Sequence, residues 1–312
     1  MSSTARNIAL FGVVLVVVFA VGVGIGGWLD PDHGPGGRMG SHGPMGGDPG
    51  SMGAHGGGHG QMGGAGQMGG AGEMPHMGTG GASVRGLAAA ENGLRLIVAD
   101  QTVLAGATAP LRFRVVEEDG ETITDFEELH TKRMHLIVVR RDLTGFQHLH
   151  PRMSANGNWS TPLRLDAAGP YRVFADFSHD GEATTLAGSL RAAGGAPRMR
   201  ALPAPRSTAE SAGGYQVRLD APEPRAGRPA ALRFAITRAG QPAALQTYLG
   251  AGGHLVALRK GDLAFLHVHP EGRGEGEIEF EATFPSAGSY RLFLQFKVAG
   301  VVETVAFTVE VS

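Results

Sequence analysis

The chain has 312 residues, a formal net charge of −2 and no cysteine. A charge this close to zero gives no electrostatic basis for binding nucleic acid. The lack of cysteine excludes disulfides, cysteine-ligated zinc, blue-copper centres and thiol nucleophiles. The length is sufficient for two domains of about 100 residues each, with further segments beside them.

An apolar run near the start of the chain predicts a membrane anchor at residues 1–30. From Ile8 to Trp28 there are 21 residues without a charge, enough for a helix to cross a bilayer core of about 30 Å. A cleaved secretory signal is the alternative, but its apolar core would be shorter, about 7–15 residues. Arg6 precedes the run and Asp30 follows it, which predicts a cytoplasmic N-terminus and an extracytoplasmic remainder in the cell membrane.

Residues 31–83 are rich in glycine, methionine and histidine and lack any periodic apolar pattern. This composition predicts a disordered segment. One interpretation is a spacer between the membrane and the folded domains. The other, which we favour, is a collector of metal ions, because thioether and imidazole groups together suit soft ions such as Cu(I).

Short apolar stretches separated by turn residues predict an all-β fold of two tandem antiparallel immunoglobulin-like β-sandwiches, at 84–195 and 214–312. The intervening residues 196–213, rich in proline, arginine and alanine, read as a linker. Asp166-Ala167-Ala168-Gly169-Pro170-Tyr171 and Pro285-Ser286-Ala287-Gly288-Ser289-Tyr290 resemble the corner at which an immunoglobulin-like domain places a tyrosine at the start of its sixth strand. In the first domain the predicted strands are Leu94–Val98, Leu111–Val116, His135–Arg140, Phe146–His150, Trp159–Leu165, Tyr171–Phe177 and Ala183–Leu190.

The two predicted domains are copies of one another. The stretch Phe146–Pro151, which reads Phe-Gln-His-Leu-His-Pro, returns 119 positions later as Phe265-Leu266-His267-Val268-His269-Pro270. The same offset carries His135 onto His254 and Arg140 onto Arg259. A gap-free match of this kind indicates an internal duplication.

The histidines of each copy are predicted to converge on one face of a β-hairpin. Alternate residues of a strand share a face, so His148 and His150 point the same way. In the second copy a two-residue loop, Gly261-Asp262, would place His254 directly opposite His269, with Cβ atoms about 4.5–5.5 Å apart. The equal spacing predicts the same arrangement for His135 and His150.

Three imidazoles on a rigid hairpin can hold Cu(II) or Zn(II). His130 and Met134 lie near the first set in sequence, which predicts that this site is the softer one and favours copper over zinc. The other interpretation is that His-x-His-Pro is a rim motif whose imidazoles bond backbone or a carboxylate. His179 has no counterpart and reads as a surface histidine. The candidate metal ligands are His130, Met134, His135, His148, His150, His254, His267 and His269.

The segments Met134–Leu143 and Gly145–Pro151 resemble a family of bacterial secreted or membrane-anchored proteins. Its members carry tandem immunoglobulin-like or cupredoxin-like domains with a Phe-x-His-x-His-Pro hairpin and are loosely associated with heavy metals. The resemblance implies an extracytoplasmic β-sandwich protein. The chain departs from true cupredoxins in lacking cysteine, which argues against electron transfer of the blue-copper type.

These patterns predict a membrane-anchored, extracytoplasmic heavy-metal-binding protein, with copper as the first candidate, used in metal tolerance or delivery. The expected partners are the membrane, the metal ion and an envelope protein that handles it. The alternative is a structural or interaction protein made of two immunoglobulin-like modules on a stalk. We predict no enzymatic activity, because the sequence has no phosphate-binding loop, HExxH or Ser-His-Asp order.

Overall fold

The computed structural model describes residues 84–312, apart from His269 and the side chain of His267. These residues belong to one compact unit of the chain, residues 71–312. They contain strands but no helix, and hence no helix in this range that could span a bilayer. The predicted anchor at 1–30 and the predicted disordered segment at 31–83 lie outside the described residues.

The first half of the described chain forms two facing sheets, which we call the first sandwich. One sheet has the strand order β1-β2-β4-β8-β7 and the other β3-β10-β9-β5-β6. All pairs are antiparallel except β3 with β10. The strands are β1 (Ala90–Glu91), β2 (Leu94–Val98), β3 (Thr102–Leu104), β4 (Thr108–Val116), β5 (His135–Arg140), β6 (Gln147–Leu149), β7 (Arg152–Met153), β8 (Trp159–Arg164), β9 (Gly169–His179) and β10 (Glu182–Ala193).

The second half repeats this arrangement as the second sandwich. One sheet has the order β11-β12-β13-β19-β18 with β14 on β13, and the other has β15-β20-β16-β17 with β21 on β20. β11 lies within the segment predicted as a linker. The strands are β11 (Thr208–Glu210), β12 (Gln216–Asp220), β13 (Pro229–Arg238), β14 (Gln241–Pro242), β15 (Leu245–Gln246), β16 (His254–Arg259), β17 (Phe265–Val268), β18 (Pro270–Gly274), β19 (Glu277–Thr283), β20 (Gly288–Val298) and β21 (Val301–Val311).

Each sandwich has its own apolar core, to which both of its sheets contribute. Buried and exposed residues alternate along β8, as expected for a strand with one face on the core and the other in solvent. The predicted tyrosine corners are confirmed. The hydroxyl of Tyr171 donates to the carbonyl of Ala167 (2.9 Å), and that of Tyr290 donates to the carbonyl of Ser286 (3.0 Å).

Strands β5 and β16 differ from β8 in being buried on both faces. All six residues of β5 are buried. Leu136 and Val138 face the core of the first sandwich, whereas Ile137 and Val139 belong to a separate apolar cluster. We call this the interface cluster, since both sandwiches contribute to it. Its buried members are Ile137, Val139, Leu143, Phe174, Ala187, Val256, Leu258, Leu263, Phe265 and Phe293.

The interface cluster packs the two sandwiches against each other through their histidine-bearing sheets. The ring of Phe146 stacks on that of Phe293, with centroids 4.2 Å apart and planes 8° apart. Phe174 and Phe265 form a second pair, with centroids 5.1 Å apart. The backbone also bridges the two halves, because the N–H of Phe265 donates to the carbonyl of Arg85 (2.9 Å).

Candidate metal centre

The predicted strand register is confirmed in both hairpins. In the first, Leu136 pairs with Leu149 and Ile137 with His148, which sets His135 against His150. In the second, Leu255 pairs with Val268 and Val256 with His267. The predicted two-residue loop is wrong, because the N–H of Arg259 bonds the carbonyl of Ala264 (3.1 Å) and leaves four residues in the loop. Adding one residue to each side of the loop preserves the face on which His254 lies.

In the first sandwich, three of the candidate ligands come together. His135, His148 and His150 each offer a ring nitrogen, and these nitrogens lie within 4.8 Å of one another. We call this set the histidine trio. His135 lies on the same face of β5 as Ile137, so the trio borders the interface cluster. His135 is fully buried and the other two are half-buried.

Hydrogen bonds fix which nitrogens of His135 and His148 carry protons. His135 Nε2 is 2.8 Å from the carbonyl of Leu129 and must donate to it. His148 Nδ1 is 2.7 Å from Oε1 of Gln295 and donates to that oxygen. In this orientation of the Gln295 amide, its nitrogen donates to Thr304 Oγ1 (3.3 Å).

The remaining nitrogens, His135 Nδ1 and His148 Nε2, face each other at 3.0 Å. In neutral rings with the protons placed as above, both of these atoms are lone-pair acceptors. With the Gln295 amide oriented as described, two acceptors at this distance require a cation between them, either a proton on one ring or a metal ion. Two Zn–N bonds of about 2.0–2.1 Å at angles between square and tetrahedral bring their nitrogens to about 2.9–3.4 Å, which matches the spacing.

His150 completes the trio as a neutral imidazole. Burial, together with the charge of Lys132, lowers the pKa of His150 from its usual 6.5 to about 4. Its Nε2 is buried and has no hydrogen-bond partner among the described residues. A histidine must be deprotonated to bind a metal, so His150 is in the binding form at neutral pH.

The second sandwich covers the trio with His254. The ring of His254 stacks on His148 with centroids 4.4 Å apart, and it lies 5.7 Å from the ring of His135. The backbone of His267 pairs with Val256. The side chain of His267, and all of His269, lie outside the described residues, so the predicted second set is described only through His254.

Two further candidates from the first copy lie in different surroundings. The ring of His130 is 6.1 Å from that of His135, at the border of the trio. Met134 is only 1% exposed and lies in the core of the first sandwich with Leu136. Its assignment as a ligand is not supported, because neighbours on a strand point to opposite faces and Met134 therefore points away from His135.

Two polar residues of the site were not predicted from the sequence. Gln295 orients His148, and Asp176 lies directly opposite His135 on β9. Asp176 is 2% exposed and accepts a hydrogen bond from Thr185 Oγ1 (2.7 Å). They occupy equivalent positions in the two copies. The sequence signal for both was a polar residue between two phenylalanines, as in Phe174-Ala-Asp-Phe177 and Phe293-Leu-Gln-Phe296.

His179, predicted to be a surface histidine, forms a second group with Asp125 and Asp180 whose ligand atoms also lie within 4.8 Å of one another. The carboxylates are mostly exposed, at 77% and 83%. His179 Nδ1 donates to the carbonyl of Asp125 (2.9 Å), which accounts for its orientation without a metal ion.

Comparison with solved structures finds likenesses of low identity. They include an Escherichia coli adhesin, FdeC (16% identity, TM-score 0.26), a Salmonella alpha-2-macroglobulin (15%, 0.27) and the Yersinia pseudotuberculosis adhesin InvE (12%, 0.23). The matches cover 72%, 74% and 69% of this chain, but only 65%, 15% and 58% of the respective structures, less than two thirds of each. TM-scores this far below 0.5 support no inference about function.

No curated protein matches the chain. A family model does match, over residues 89–194 and again over 209–312, and these two ranges correspond to the two sandwiches. The chain therefore belongs to the family described as Domain of unknown function (DUF8832), of which it carries two copies.

Proposed function

We propose that this protein is an extracytoplasmic, membrane-anchored metal-binding protein that holds a divalent ion at the histidine trio, in metal tolerance or delivery. The observation that carries the proposal is the 3.0 Å approach of His135 Nδ1 to His148 Nε2, each on a ring whose other nitrogen is a hydrogen-bond donor. Metal-bound histidines commonly donate their second N–H to a carbonyl or another oxygen, which fixes the tautomer.

The donor set favours Cu(II) or Zn(II) over Cu(I) at this site. The trio offers imidazole nitrogens, and Met134 lies in the apolar core rather than beside it. Thioether ligands select Cu(I), whereas imidazole suits Cu(II) and Zn(II). The methionine-rich segment at 31–83 is the candidate for collecting Cu(I), and an envelope protein would be the recipient of the ion.

The proposed anchor and the proposed location of the domains rest on the amino-acid sequence. The apolar run from Ile8 to Trp28 would be the anchor, and the two sandwiches would be immunoglobulin-like domains outside the cytoplasmic membrane. The two tyrosine corners support the immunoglobulin-like assignment. We assign the protein a binding role and no catalytic one.

The test is a titration of the full chain with Cu(II), Zn(II) and Cu(I), followed by single substitutions of the trio. We expect Cu(II) or Zn(II) to bind with a Kd below about 1 μM. His135→Ala, His148→Ala and His150→Ala should each weaken binding by at least about 100-fold.

His179→Ala is the matched control, since it removes a histidine of the same sandwich outside the trio. It should leave the trio's affinity unchanged. Circular dichroism of each variant establishes that it is folded. Folded trio variants that bind as tightly as the wild type would rule out the proposal and favour a protein-interaction module.

A further inference from the structure

The two sandwiches meet through reciprocal contacts. Phe146 of the first stacks on Phe293 of the second, and Phe265 of the second packs on Phe174 of the first. An offset of 119 positions relates Phe146 to Phe265 and Phe174 to Phe293. The same patch of each copy therefore contacts the other, as in a two-fold symmetric dimer.

At the polar border of this interface, the second sandwich supplies two side chains to the histidine trio. Gln295 Oε1 accepts the Nδ1–H of His148 across the interface (2.7 Å), and the ring of His254 stacks on His148. Gln295 is 6% exposed and His254 3% exposed. Water is therefore excluded from this side of the trio only when the two sandwiches are docked.

Resting on the proposed metal binding, we propose that the two sandwiches form the metal site jointly. Gln295 is a positioning residue that orients His148, and ion binding and docking of the sandwiches stabilise each other. The separated first sandwich would retain all three imidazoles but would lose the acceptor that fixes His148 and the ring that covers it. Its affinity for the ion would therefore be lower.

The physical basis is thermodynamic linkage. An ion that binds the docked form more tightly than the undocked form shifts the equilibrium toward docking. By reciprocity, any change that weakens docking must weaken ion binding. Removing the partner that orients a metal-bound histidine lowers metal affinity by about 10–100-fold.

The first experiment measures Zn(II) affinity of the full chain with two substitutions of Gln295. Gln295→Leu has no acceptor for His148 Nδ1–H and should weaken Zn(II) binding by about 10-fold or more. Gln295→Glu retains an acceptor and should restore affinity to within about 3-fold of wild type. A residue that merely filled space would not show this rescue.

Gln246→Leu is the matched control. It makes the same chemical change in the same sandwich at a side chain whose Oε1 accepts from the N–H of Gly300 (2.7 Å), and it should leave affinity unchanged. Gln295→Leu with wild-type affinity, or Gln295→Glu as weak as Gln295→Leu, would overturn the positioning role.

The second experiment tests docking by comparing Phe293→Leu with Phe284→Leu. Phe293 stacks on the first sandwich, whereas Phe284 is fully buried in the core of the second. We expect Phe293→Leu to weaken Zn(II) binding by at least about 3-fold and Phe284→Leu to leave it unchanged in the folded protein. Equal affinities for the two variants would overturn the linkage.

These outcomes are separable from failure of the proposed function. If His135→Ala weakens binding but Gln295→Leu and Phe293→Leu do not, the trio is a metal site of the first sandwich alone. If His135→Ala leaves Zn(II) binding unchanged, the proposed function itself fails and the joint site falls with it.

Discussion

The two copies share the same hairpin register and the same apolar contact patch, but they differ at the polar positions beside the histidines. In the first copy His135 lies opposite Asp176 on the neighbouring strand, and in the second His254 lies opposite Gln295. Thr185 and Thr304, also equivalent, bond these two residues at 2.7 Å and 3.3 Å. The backbone thus repeats faithfully while charge and hydrogen bonding do not, so the two halves of the interface need not have the same chemistry.

Substitutions in the reciprocal apolar contacts should have the largest effect on the stability of the protein. Phe174→Ala and Phe293→Ala should each lower the free energy of unfolding by about 3–5 kcal/mol, because both rings are buried between the sandwiches. Leu104→Ala, at a side chain that is 67% exposed, is the control and should cost less than about 0.5 kcal/mol. Urea denaturation provides the measurement.

A double-mutant cycle sharpens this prediction. Phe146→Ala combined with Phe293→Ala should reveal a coupling of about 0.5–1.5 kcal/mol for the stacked pair. Strict additivity of the two changes would mean that the sandwiches do not pack together in solution as they do here.

The arginine–aspartate pairs at the ends of β5 and β16 differ in burial. Arg140 and Asp142 are 4% and 2% exposed and lie 3.0 Å apart, whereas Arg259 and Asp262 are 20% and 40% exposed. Asp142→Ala should cost about 3 kcal/mol because it leaves a buried arginine without its carboxylate partner. Asp262→Ala should cost about 0.2–1 kcal/mol. Chemical denaturation of both variants at neutral pH checks the difference.

The same pair gives a pH dependence. Burial opposes ionisation of Asp142, but hydrogen bonds from Thr144 and the N–H of Arg200, with the charge of Arg140, outweigh it and hold its pKa below the usual 3.8. A carboxyl whose pKa is lowered on folding stabilises the protein above its unfolded pKa. This stability is lost as the pH falls below about 3.8 through the folded pKa. An Asp142→Asn variant that loses as much stability as the wild type between pH 4 and about 2 would contradict the assignment.

Much of the fold was predictable because it depends on local pattern. Strands β2 and β5 have the bounds predicted from alternation and turn residues, and the tyrosine corners followed from the residues before Tyr171 and Tyr290. The hairpin register was predicted correctly although the loop was not, since a loop that is longer by one residue on each side keeps the same residues opposite each other.

The packing of one sandwich on the other was not predicted, although β5 carried a sign of it. A strand that is half exposed alternates as β8 does, whereas Leu136-Ile137-Val138-Val139 is apolar on both faces and needs a second surface to cover it. Met134 was assigned to the site by its position next to His135, although alternation along a strand separates neighbours. Gln295 was missed because it reaches the trio from the other copy.

The polar asymmetry predicts unequal effects of one substitution at equivalent positions. Thr185→Val removes the donor to the buried carboxylate of Asp176 and should cost about 1.5–3 kcal/mol. Thr304→Val removes a longer bond to a neutral amide and should cost about 0.5–1 kcal/mol. Thermal and urea unfolding of both variants measure the difference. Equal losses would contradict the expected difference between the two bonds.

The tyrosine corners should show the smallest difference between the two copies. Tyr171→Phe and Tyr290→Phe each remove one hydroxyl that donates to a carbonyl four residues earlier, so each should cost about 1 kcal/mol. Tyr290 should lose slightly more, since its hydroxyl also lies 3.2 Å from Ser286 Oγ. Ser286→Ala in the Tyr290→Phe background should then cost less than it does alone. If it costs the same in both backgrounds, the contact between the two hydroxyls contributes nothing, and the two corners are energetically equivalent.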